Sequence, residues 1–302
     1  MNSAYIERRR MEEVLHRHGF RFQKKYGQNF LVDPGIPEAI VEAAGVGEDD
    51  TVLEIGPGMG TMTVPLAKRA KKVIAVEIDD HLIPVLEEEL ERYNNVEIIR
   101  NDIMKMSLDD IFPKVTENGA KRIVANLPYY ITTPILMKLL ESGMDYTSIT
   151  VMVQREVAER MTANPGTKSY GALTLAVSYY TNPRIDFTIE PDSFFPPPKV
   201  DSTVITLTKH ANPPVEVDDE KLLFDLIRAS FNQRRKTLVN GISHGMNLGL
   251  SKDEISEILA SLGHSPTVRG EALSLEQFAE IAQRLAAYHK LGANTFDPDI
   301  IR

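Results

Sequence analysis

The chain has 302 residues, of which 42% are hydrophobic and 25% charged, a balance typical of globular proteins long enough for two domains. The absence of cysteine excludes disulfides, thiolate metal sites and cysteine nucleophiles, and it favours a reducing, cytoplasmic location. The net charge of −9 argues weakly against a nucleic-acid partner, and no apolar run approaches the roughly 20 residues that a membrane span needs.

Apolar runs alternate with helical patterns through the first half of the chain. The runs are short and several end at a glycine or a polar residue, whereas the segments between them repeat apolar residues at helical spacing. The predicted strands cover 51–56, 72–79, 96–102, 121–130 and a run that begins at 148, and the predicted helices cover 62–71, 81–93, 133–143 and the residues up to 161. This alternation predicts an α/β fold with a mostly parallel, doubly wound sheet.

The last third of the chain follows a different pattern. Two runs, 184–189 and 202–209, flank the proline-rich sequence EPDSFFPPPKVD, which suits an antiparallel pair at the edge of the sheet. Beyond them the apolar residues follow only helical spacing, in 220–231, 252–263 and 274–290. We therefore predict a sheet-containing domain at 1–210 and a small all-α domain at 211–302, with no internal repeat.

Basic residues cluster at two places in this acidic chain. Residues 1–28 carry seven basic and three acidic side chains, and residues 228–236 carry four basic side chains and no acid. A charge run is most often a solvated helix face. Local basic patches are also what a polyanion partner requires, so composition alone leaves both interpretations open.

A glycine-rich turn follows the first predicted strand. The sequence EIGPGMG contains Gly56 and Gly58, whose freedom to adopt positive φ lets a ligand approach the backbone at the start of a helix. Glu77, 21 residues beyond Gly56, ends the second strand, where an acidic side chain commonly binds ribose hydroxyls. Asp102 ends the third strand, next to Asn101. A lone acid at a strand end is usually solvated, but three successive polar strand ends predict a nucleoside site at one edge of the sheet.

The fourth strand ends in the sequence NLPYYI, beginning at Asn126. Pro128 has a fixed φ and no amide hydrogen, so the backbone around it offers carbonyl acceptors. The sequence contains no phosphate-binding lysine motif, no histidines at metal-ligand spacing and no recognisable Ser-His-Asp arrangement. We predict chemistry that needs neither a metal nor a covalent intermediate, with NLPY facing the ligand; the alternative is a tight turn with core aromatics.

Six motifs together resemble one enzyme family. GQNFL at 27–31, EIGPGMG, VEID, NLPYYI, QREVAERM and FFPPPKVDS are similar, in sequence and spacing over about residues 20–290, to the small-subunit ribosomal RNA adenine dimethyltransferases of bacteria, relatives of the erythromycin-resistance RNA methyltransferases. The resemblance implies a Rossmann-like, S-adenosylmethionine-dependent methyltransferase. It also implies that N6 of two adjacent adenosines in the 3′-terminal hairpin loop of 16S rRNA is dimethylated during small-subunit biogenesis.

The resemblance also implies roles for particular residues. In the catalytic loop Asn126, with the carbonyl of Leu127 or Pro128, would accept the N6 hydrogens, and Tyr129 would stack on the extruded base, with Phe194 or Phe195 as a second stacking face. The implied cofactor-binding residues are Gln28, Asn29, Leu31, Gly56, Gly58, Glu77, Ile78, Asp102, Ile103 and Asn126. The implied RNA-binding residues are Arg21, Lys24, Lys25, Lys199, Arg234, Arg235 and Lys236.

Two other functions are compatible with a protein of this fold. A nicotinamide-dependent dehydrogenase would share the sheet and Glu77, but its fingerprint is GxGxxG, whereas this chain has GxGxG and leaves NLPYY without a role. A non-catalytic ribosome-assembly factor could retain the fold, but the intact NLPY motif favours an enzyme. The partner is expected to be 16S rRNA within the small subunit or its precursor. No membrane partner is expected, and the absence of a heptad seam favours a monomer.

Overall fold

The computed structural model describes residues 3–23, 26–108, 111–112 and 119–291. Its contacts divide the chain into two compact units: Met1–Ala158 with Thr181–Lys209, and Glu159–Tyr180 with His210–Arg302. The sequence-based division put all of 1–210 in one domain, whereas the structure groups the excursion at Glu159–Tyr180 with the helices that follow His210. No helix in the described part of the chain is both long and apolar enough to cross a membrane.

Nine strands among the described residues of the first unit form two sheets. The strands are β1 (Phe30–Leu31), β2 (Thr51–Ile55), β3 (Lys72–Glu77), β4 (Val96–Arg100), β5 (Lys121–Asn126), β6 (Ser148–Gln154), β7 (Thr181–Ile189), β8 (Phe194–Phe195) and β9 (Ser202–Lys209). Seven of them form the central sheet in the order β4-β3-β2-β5-β6-β9-β7, and β1 pairs with β8 in a separate antiparallel ladder. Strands β2 to β6 are parallel, and β9 and β7 are antiparallel at one edge, as the sequence predicted.

Eleven α-helices accompany the strands in the described residues. They are α1 (Ser3–Arg17), α2 (Gly35–Ala43), α3 (Thr63–Arg69), α4 (Ile83–Leu90), α5 (Thr132–Glu141), α6 (Arg155–Met161), α7 (Ala172–Tyr180), α8 (Glu220–Asn232), α9 (Leu238–Gly245), α10 (Lys252–Ser261) and α11 (Leu275–Leu291). Four of these helices were not predicted from the sequence: α1, α2, α7 and α9. The predicted fold class, a Rossmann-like α/β domain with an all-α region after it, is confirmed.

Burial of the central strands explains their sequences. Every residue of β2 is buried, because helices cover both faces of a parallel sheet and leave no solvent-facing side for alternation to mark. One core cluster joins Val52 and Val73 of the sheet to Val41 of α2 and Leu66 of α3. Strand β4 lies at the edge of the sheet, and none of its side chains is fully buried: they are half-buried or exposed. The core therefore fixes the strand register, and with it the positions of the strand ends.

The register of three strands brings the sequence motifs to one level. Ile55 at the end of β2 pairs with Val76 of β3 on one side and with Ala125 of β5 on the other. Consequently Gly56, Glu77 and Asn126 each follow a residue in the same cross-sheet row. The strand order also reverses between β2 and β5, and doubly wound sheets bind ligands in the crevice at such a switch point.

Side-chain caps and aromatic contacts order the second unit. Asp219 accepts a hydrogen bond from the Leu222 amide at the start of α8, and Ser251 and Glu254 form a capping box at the start of α10. The ring of Tyr180, at the end of α7, stacks on Phe224 of α8 with a centroid distance of 5.4 Å. This packing is the physical reason why α7 groups with the C-terminal helices, although the sheet continues after it.

Candidate active site at the carboxyl edge of the sheet

One cavity lies in the first unit at the carboxyl ends of β2, β3, β4 and β5. It contains about 1110 Å³ of empty space, part of it open to solvent. All the residues that the sequence analysis proposed for the cofactor and for catalysis line this cavity, namely Gln28, Asn29, Leu31, Gly56, Gly58, Glu77, Ile78, Asp102, Ile103, Asn126, Leu127, Pro128 and Tyr129.

The glycine-rich turn forms the floor of the cavity. Gly56 and Gly58 have φ angles of +70° and +62°, a region that residues with a side chain rarely adopt. A Cβ atom on Gly58 would also lie 2.9 Å from the ring of Phe30, so the turn has no room for one. Glycine is therefore required at these positions for two reasons. The backbone has positive φ angles, and β1 packs closely over the turn.

Glu77 is the organising carboxylate of the floor. Its Oε2 accepts a hydrogen bond from the Gly58 amide (3.0 Å), and its Oε1 accepts from the amides of Ile78 (2.9 Å) and Asp79 (2.8 Å). Burial raises the pKa of Glu77, although these amide bonds oppose the shift. The side chain thus ties the glycine turn to the end of β3, and Glu77 itself lines the cavity.

The loop after β4 forms another wall of the cavity, and hydrogen bonds from α5 hold it in place. The Asp102 carboxylate accepts a hydrogen bond from the Met104 amide (2.9 Å), which closes a tight turn. The Lys138 ammonium group, on α5, donates to the carbonyls of Met104 (2.8 Å) and Met106 (2.7 Å). Sequence reasoning missed Lys138, because a lysine on a helix gives no sign that its ammonium group supports a loop.

The NLPY loop leaves specific backbone and side-chain acceptors unused. Asn126 Nδ2 donates to the Asn29 carbonyl (3.2 Å), which fixes the amide plane and leaves Oδ1 on its other side. The Pro128 carbonyl already accepts from the Ile131 amide (3.1 Å) and the Thr132 hydroxyl (3.0 Å). No donor in the described part of the chain reaches the Leu127 carbonyl.

Tyr129 is anchored through its hydroxyl group. The hydroxyl lies 2.7 Å from Oγ of Ser202, a fully buried residue at the start of β9. Burial raises the pKa of Tyr129, so the phenol stays neutral at physiological pH. The contact fixes one edge of the ring while the side chain lines the cavity. Ser202 belongs to the FFPPPKVDS motif, but its partner could not be read from the sequence.

The paired strands β1 and β8 bring two motifs together outside the central sheet. Phe30 of GQNFL pairs with Phe195 of FFPPP, and Leu31 pairs with Phe194. Phe194 is only 4% exposed and belongs to the main core cluster, so its ring has no open face for stacking. Phe195 is half-buried and lies outside the cavity lining, with the Arg8 guanidinium carbon 4.4 Å from its ring centroid. Neither ring reaches the cavity wall in this structure.

One of the residues that line the cavity carries a buried carboxyl group that the sequence analysis did not single out. Glu54 is fully buried, and neither of its carboxyl oxygens has a hydrogen-bond partner among the described residues. Burial raises its pKa to about 8; the nearby Thr63 hydroxyl opposes this shift and the negative charge of Glu77 adds to it. Glu54 is therefore largely protonated at neutral pH.

The proposed RNA-binding residues differ in how available they are. Arg21, Lys199, Arg235 and Lys236 are exposed. Arg234 is instead held by protein groups: Nε donates to Glu271 (2.8 Å), and its two other nitrogens donate to the carbonyls of Lys168 (2.6 Å) and Thr167 (3.0 Å). This arrangement makes Arg234 mainly a structural residue of the second unit. Lys24 and Lys25 lie outside the described residues.

Comparison with known proteins identifies the family. Residues 19–286 match the family model described as ribosomal RNA adenine dimethylase. The chain belongs to this family. The resemblance inferred from the motifs is thereby confirmed, and the chain is an S-adenosylmethionine-dependent ribosomal RNA adenine dimethyltransferase. Family membership decides against the dehydrogenase and the non-catalytic alternatives.

Individual members of the dimethylase family cover most of the chain. It is 55% identical over 273 residues to the ribosomal RNA small subunit methyltransferase A of Lachnoclostridium phytofermentans, covering 89% of this chain and 93% of the relative. It is 48% identical over 278 residues to the protein of the same name from Geobacillus thermodenitrificans, covering 91% of this chain and 95% of that one.

Solved structures agree with the dimethylase fold. A dimethyladenosine transferase from Plasmodium falciparum superposes with a TM-score of 0.71 at 30% identity, covering 87% of this chain and 98% of that one. The 23S rRNA methyltransferase ErmE gives a TM-score of 0.63 at 25% identity, covering 85% of this chain and 99% of that one. Both matches extend well beyond the central sheet.

Proposed function

We propose that this chain transfers methyl groups from S-adenosylmethionine to N6 of two adjacent adenosines in the 3′-terminal hairpin loop of 16S rRNA. It would act as a monomer on the small ribosomal subunit or its precursor. The observation that carries the proposal is the pair of acceptors on the NLPY loop, Oδ1 of Asn126 and the carbonyl of Leu127, which no described protein donor occupies. An adenine N6 amino group has two hydrogens that match them.

The cavity fits the methyl donor. The glycine turn admits close approach of a ligand to the backbone, and the Glu77 carboxylate stands where ribose hydroxyls bind in related sheets. Asp102 and Ile103 would contact the adenine ring, and Gln28, Asn29, Leu31 and Ile78 would contact the remainder of the molecule. The donor supplies an electrophilic methyl group on a sulfonium centre.

The NLPY loop would activate the acceptor by position alone. The N6 lone pair is delocalised into the adenine ring, so the amino group attacks only when its hydrogens are held away from the planar arrangement. Asn126 Oδ1 would accept one hydrogen and the Leu127 carbonyl the other. The Pro128 carbonyl is excluded from this role by its two existing donors. Such preorganised acceptors lower the barrier without a titrating base.

Tyr129 would hold the extruded base. Adenines that undergo chemistry leave the stack and are received on aromatic faces. Because the Ser202 contact fixes the Tyr129 hydroxyl, the ring would present a rigid face rather than a mobile one. The exposed basic residues Arg21, Lys199, Arg235 and Lys236 would contact phosphates, which position the RNA without specifying its sequence.

The test uses labelled S-adenosylmethionine and small subunits that lack the modification. We expect wild-type protein to produce N6,N6-dimethyladenosine at two adjacent positions, detected by nucleoside analysis and by mapping of the RNA fragment. The matched control is Asn126→Ala, which should bind the cofactor but transfer methyl groups about 10³-fold more slowly. Methylation at a different RNA, or a single modified position, would contradict the proposed substrate.

A further inference from the structure

Asp79 is a buried carboxylate next to the cavity, and it does not line it. It is 1% exposed and lies between β3 and α4. Its Oδ1 accepts hydrogen bonds from Gln23 Nε2 (3.1 Å) and from the His81 amide (3.1 Å), and its Oδ2 accepts from Gln28 Nε2 (2.8 Å). The His81 ring nitrogen Nδ1 also lies 3.1 Å from Oδ1, so four polar groups from two separate parts of the chain surround this one side chain.

The contacts of Asp79 connect the N-terminal segment to the ribose side of the cavity. Gln28 lines the cavity, and its Oε1 accepts a hydrogen bond from the Gln23 amide (3.4 Å), so both polar ends of the Gln28 side chain have protein partners. The Asp79 amide also donates to Oε1 of Glu77 (2.8 Å). Asp79 thereby joins the residues preceding β1 to the carboxylate that organises the floor.

The polar contacts between the N-terminal residues and α4 involve mostly exposed side chains; His18 is only 20% exposed, but it contacts Glu88, which is 44% exposed. Arg10 pairs with Glu89 at 3.0 Å and Arg17 pairs with Glu88, but both arginine side chains are 59% exposed. Exposed ion pairs contribute little, because water and salt screen them. Hydrogen bonds to a buried carboxylate are stronger and leave unpaired donors when they are removed. The Asp79 contacts are therefore the polar contacts that can fix the position of Gln28.

We propose that Asp79 is a positioning residue that holds Gln28 and the adjoining β1 segment against the cofactor cavity, so that cofactor affinity depends on a side chain outside the cavity wall. The inference rests on the cofactor site described under the proposed function. It applies mainly to binding, because Asp79 contacts neither acceptor of the NLPY loop; any effect on transfer would pass through the Asn29 carbonyl, which accepts from Asn126 Nδ2 (3.2 Å).

The first test compares Asp79→Asn with Asp80→Asn. Asparagine keeps the shape of Asp79 but turns an amide group towards Gln28 or Gln23, both of which are donors. Asp80 is the matched control, since its side chain is 52% exposed and pairs with Arg100 on the surface. We expect Asp79→Asn to weaken S-adenosylhomocysteine binding about tenfold by calorimetry, the usual scale for losing a charge-assisted hydrogen bond. Asp80→Asn should stay within about twofold of wild type.

Kinetics and exchange separate positioning from general destabilisation. At saturating cofactor, Asp79→Asn should reach nearly the wild-type kcat, with the deficit confined to the KM for S-adenosylmethionine. Amide hydrogen exchange of residues 27–31 should accelerate in Asp79→Asn and not in Asp80→Asn, while the exchange of β2 and β5 stays unchanged.

A second variant keeps the test decisive if Asp79→Asn folds poorly. Gln28→Ala removes the same contact from the other side, and the double variant should bind no more weakly than the weaker single variant. Wild-type affinity in Asp79→Asn, or losses that add in the double variant, would overturn the inference. Failure of the wild-type protein to bind the cofactor would instead overturn the proposed function on which it rests.

Discussion

Two polar segments that the sequence singled out differ in what their polar atoms contact. In the NLPY loop, Asn126 Oδ1 and the Leu127 carbonyl have no protein donor among the described residues. In the basic segment of the second unit, Arg234 directs its guanidinium group to Glu271 and to two backbone carbonyls. The NLPY loop therefore has acceptor atoms available for a ligand. In the basic segment, the guanidinium group of Arg234 is already hydrogen-bonded to other residues of the second unit.

The comparison shows what residue type alone cannot tell. An asparagine at a strand end and an arginine in a basic run are both reasonable ligand contacts, and the sequence gives them equal standing. Whether a polar atom is available depends on how many protein partners reach it, and those partners come from distant parts of the chain. The five measurements below test this distinction, beginning with the largest expected effect.

Replacing Asn126 by alanine tests the available acceptor directly. We expect the Asn126→Ala variant to lose about 10³-fold in kcat, roughly 4 kcal/mol, because a preorganised acceptor acts mainly in the transition state. Cofactor affinity, measured by calorimetry, should change by less than about threefold. Near wild-type methyl transfer in single-turnover assays would mean that the NLPY acceptors are not used.

Replacing Glu54 by glutamine tests a buried polar group that has no hydrogen-bond partner among the described residues. The folded-state pKa of about 8 lies above the ordinary value of 4.5, so between these pH values the folded state holds a proton that the unfolded state has lost. Wild-type stability should therefore fall as pH rises through this window, by at most about 1.4 kcal/mol per pH unit. Urea unfolding at pH 5, 6.5 and 8 should give Glu54→Gln a growing advantage; parallel pH profiles would contradict the assignment.

Replacing Arg234 by alanine tests a guanidinium group whose nitrogens already donate to protein acceptors. The variant should lose about 1–2 kcal/mol of unfolding free energy in the second unit, because the bonds to Glu271, Lys168 and Thr167 disappear together. Thermal and urea unfolding measure the loss. A large change in the salt dependence of RNA binding with unchanged stability would show that Arg234 is a phosphate contact after all.

Replacing Arg235 by alanine supplies the matched contrast in the same segment. Arg235 is exposed, so its removal should leave the melting temperature unchanged. Removing one phosphate contact should reduce the slope of log affinity against log salt concentration by about one, with cofactor binding intact. Binding titrations of the rRNA hairpin at several salt concentrations make the measurement, and an unchanged slope would remove Arg235 from the RNA contacts.

Removing the Tyr129 hydroxyl should have the smallest effect. In Tyr129→Phe the ring remains but loses its 2.7 Å contact with Ser202. We expect kcat to fall only about threefold, since one neutral hydrogen bond contributes on the order of 0.5–1 kcal/mol. Ser202→Ala should give the same loss, and the double variant no more. A loss of 10²-fold or more in Tyr129→Phe would assign the hydroxyl a direct role in the reaction.

Much of the catalytic fold was readable from the chain because its signals are local. Apolar runs that end in EIG, VEI and NLP determine where the strands stop, and alternation with helices determines that the sheet is parallel. The excursion containing α7 was not readable. Its sequence ALTLAVSYY is apolar apart from Thr174 and Ser178, so periodicity could not separate a strand from a buried helix, and its packing on α8 decided the matter.

The sequence by itself determined part of the cavity wall: the glycine turn and the polar strand ends follow from the pattern of strands and turns, and Gln28, Asn29, Leu31, Ile78 and Ile103 follow from the family resemblance. Only the tertiary structure decided which atoms remain available. Phe194 entered the core instead of the cavity, the Pro128 carbonyl was occupied by Ile131 and Thr132, and Asp79 was matched to Gln23 and Gln28. The outcomes at Phe194 and Asp79 depend on contacts between residues far apart in the chain, and burial makes them strong enough to fix a side chain, whereas the Pro128 contacts depend on how the chain turns into α5.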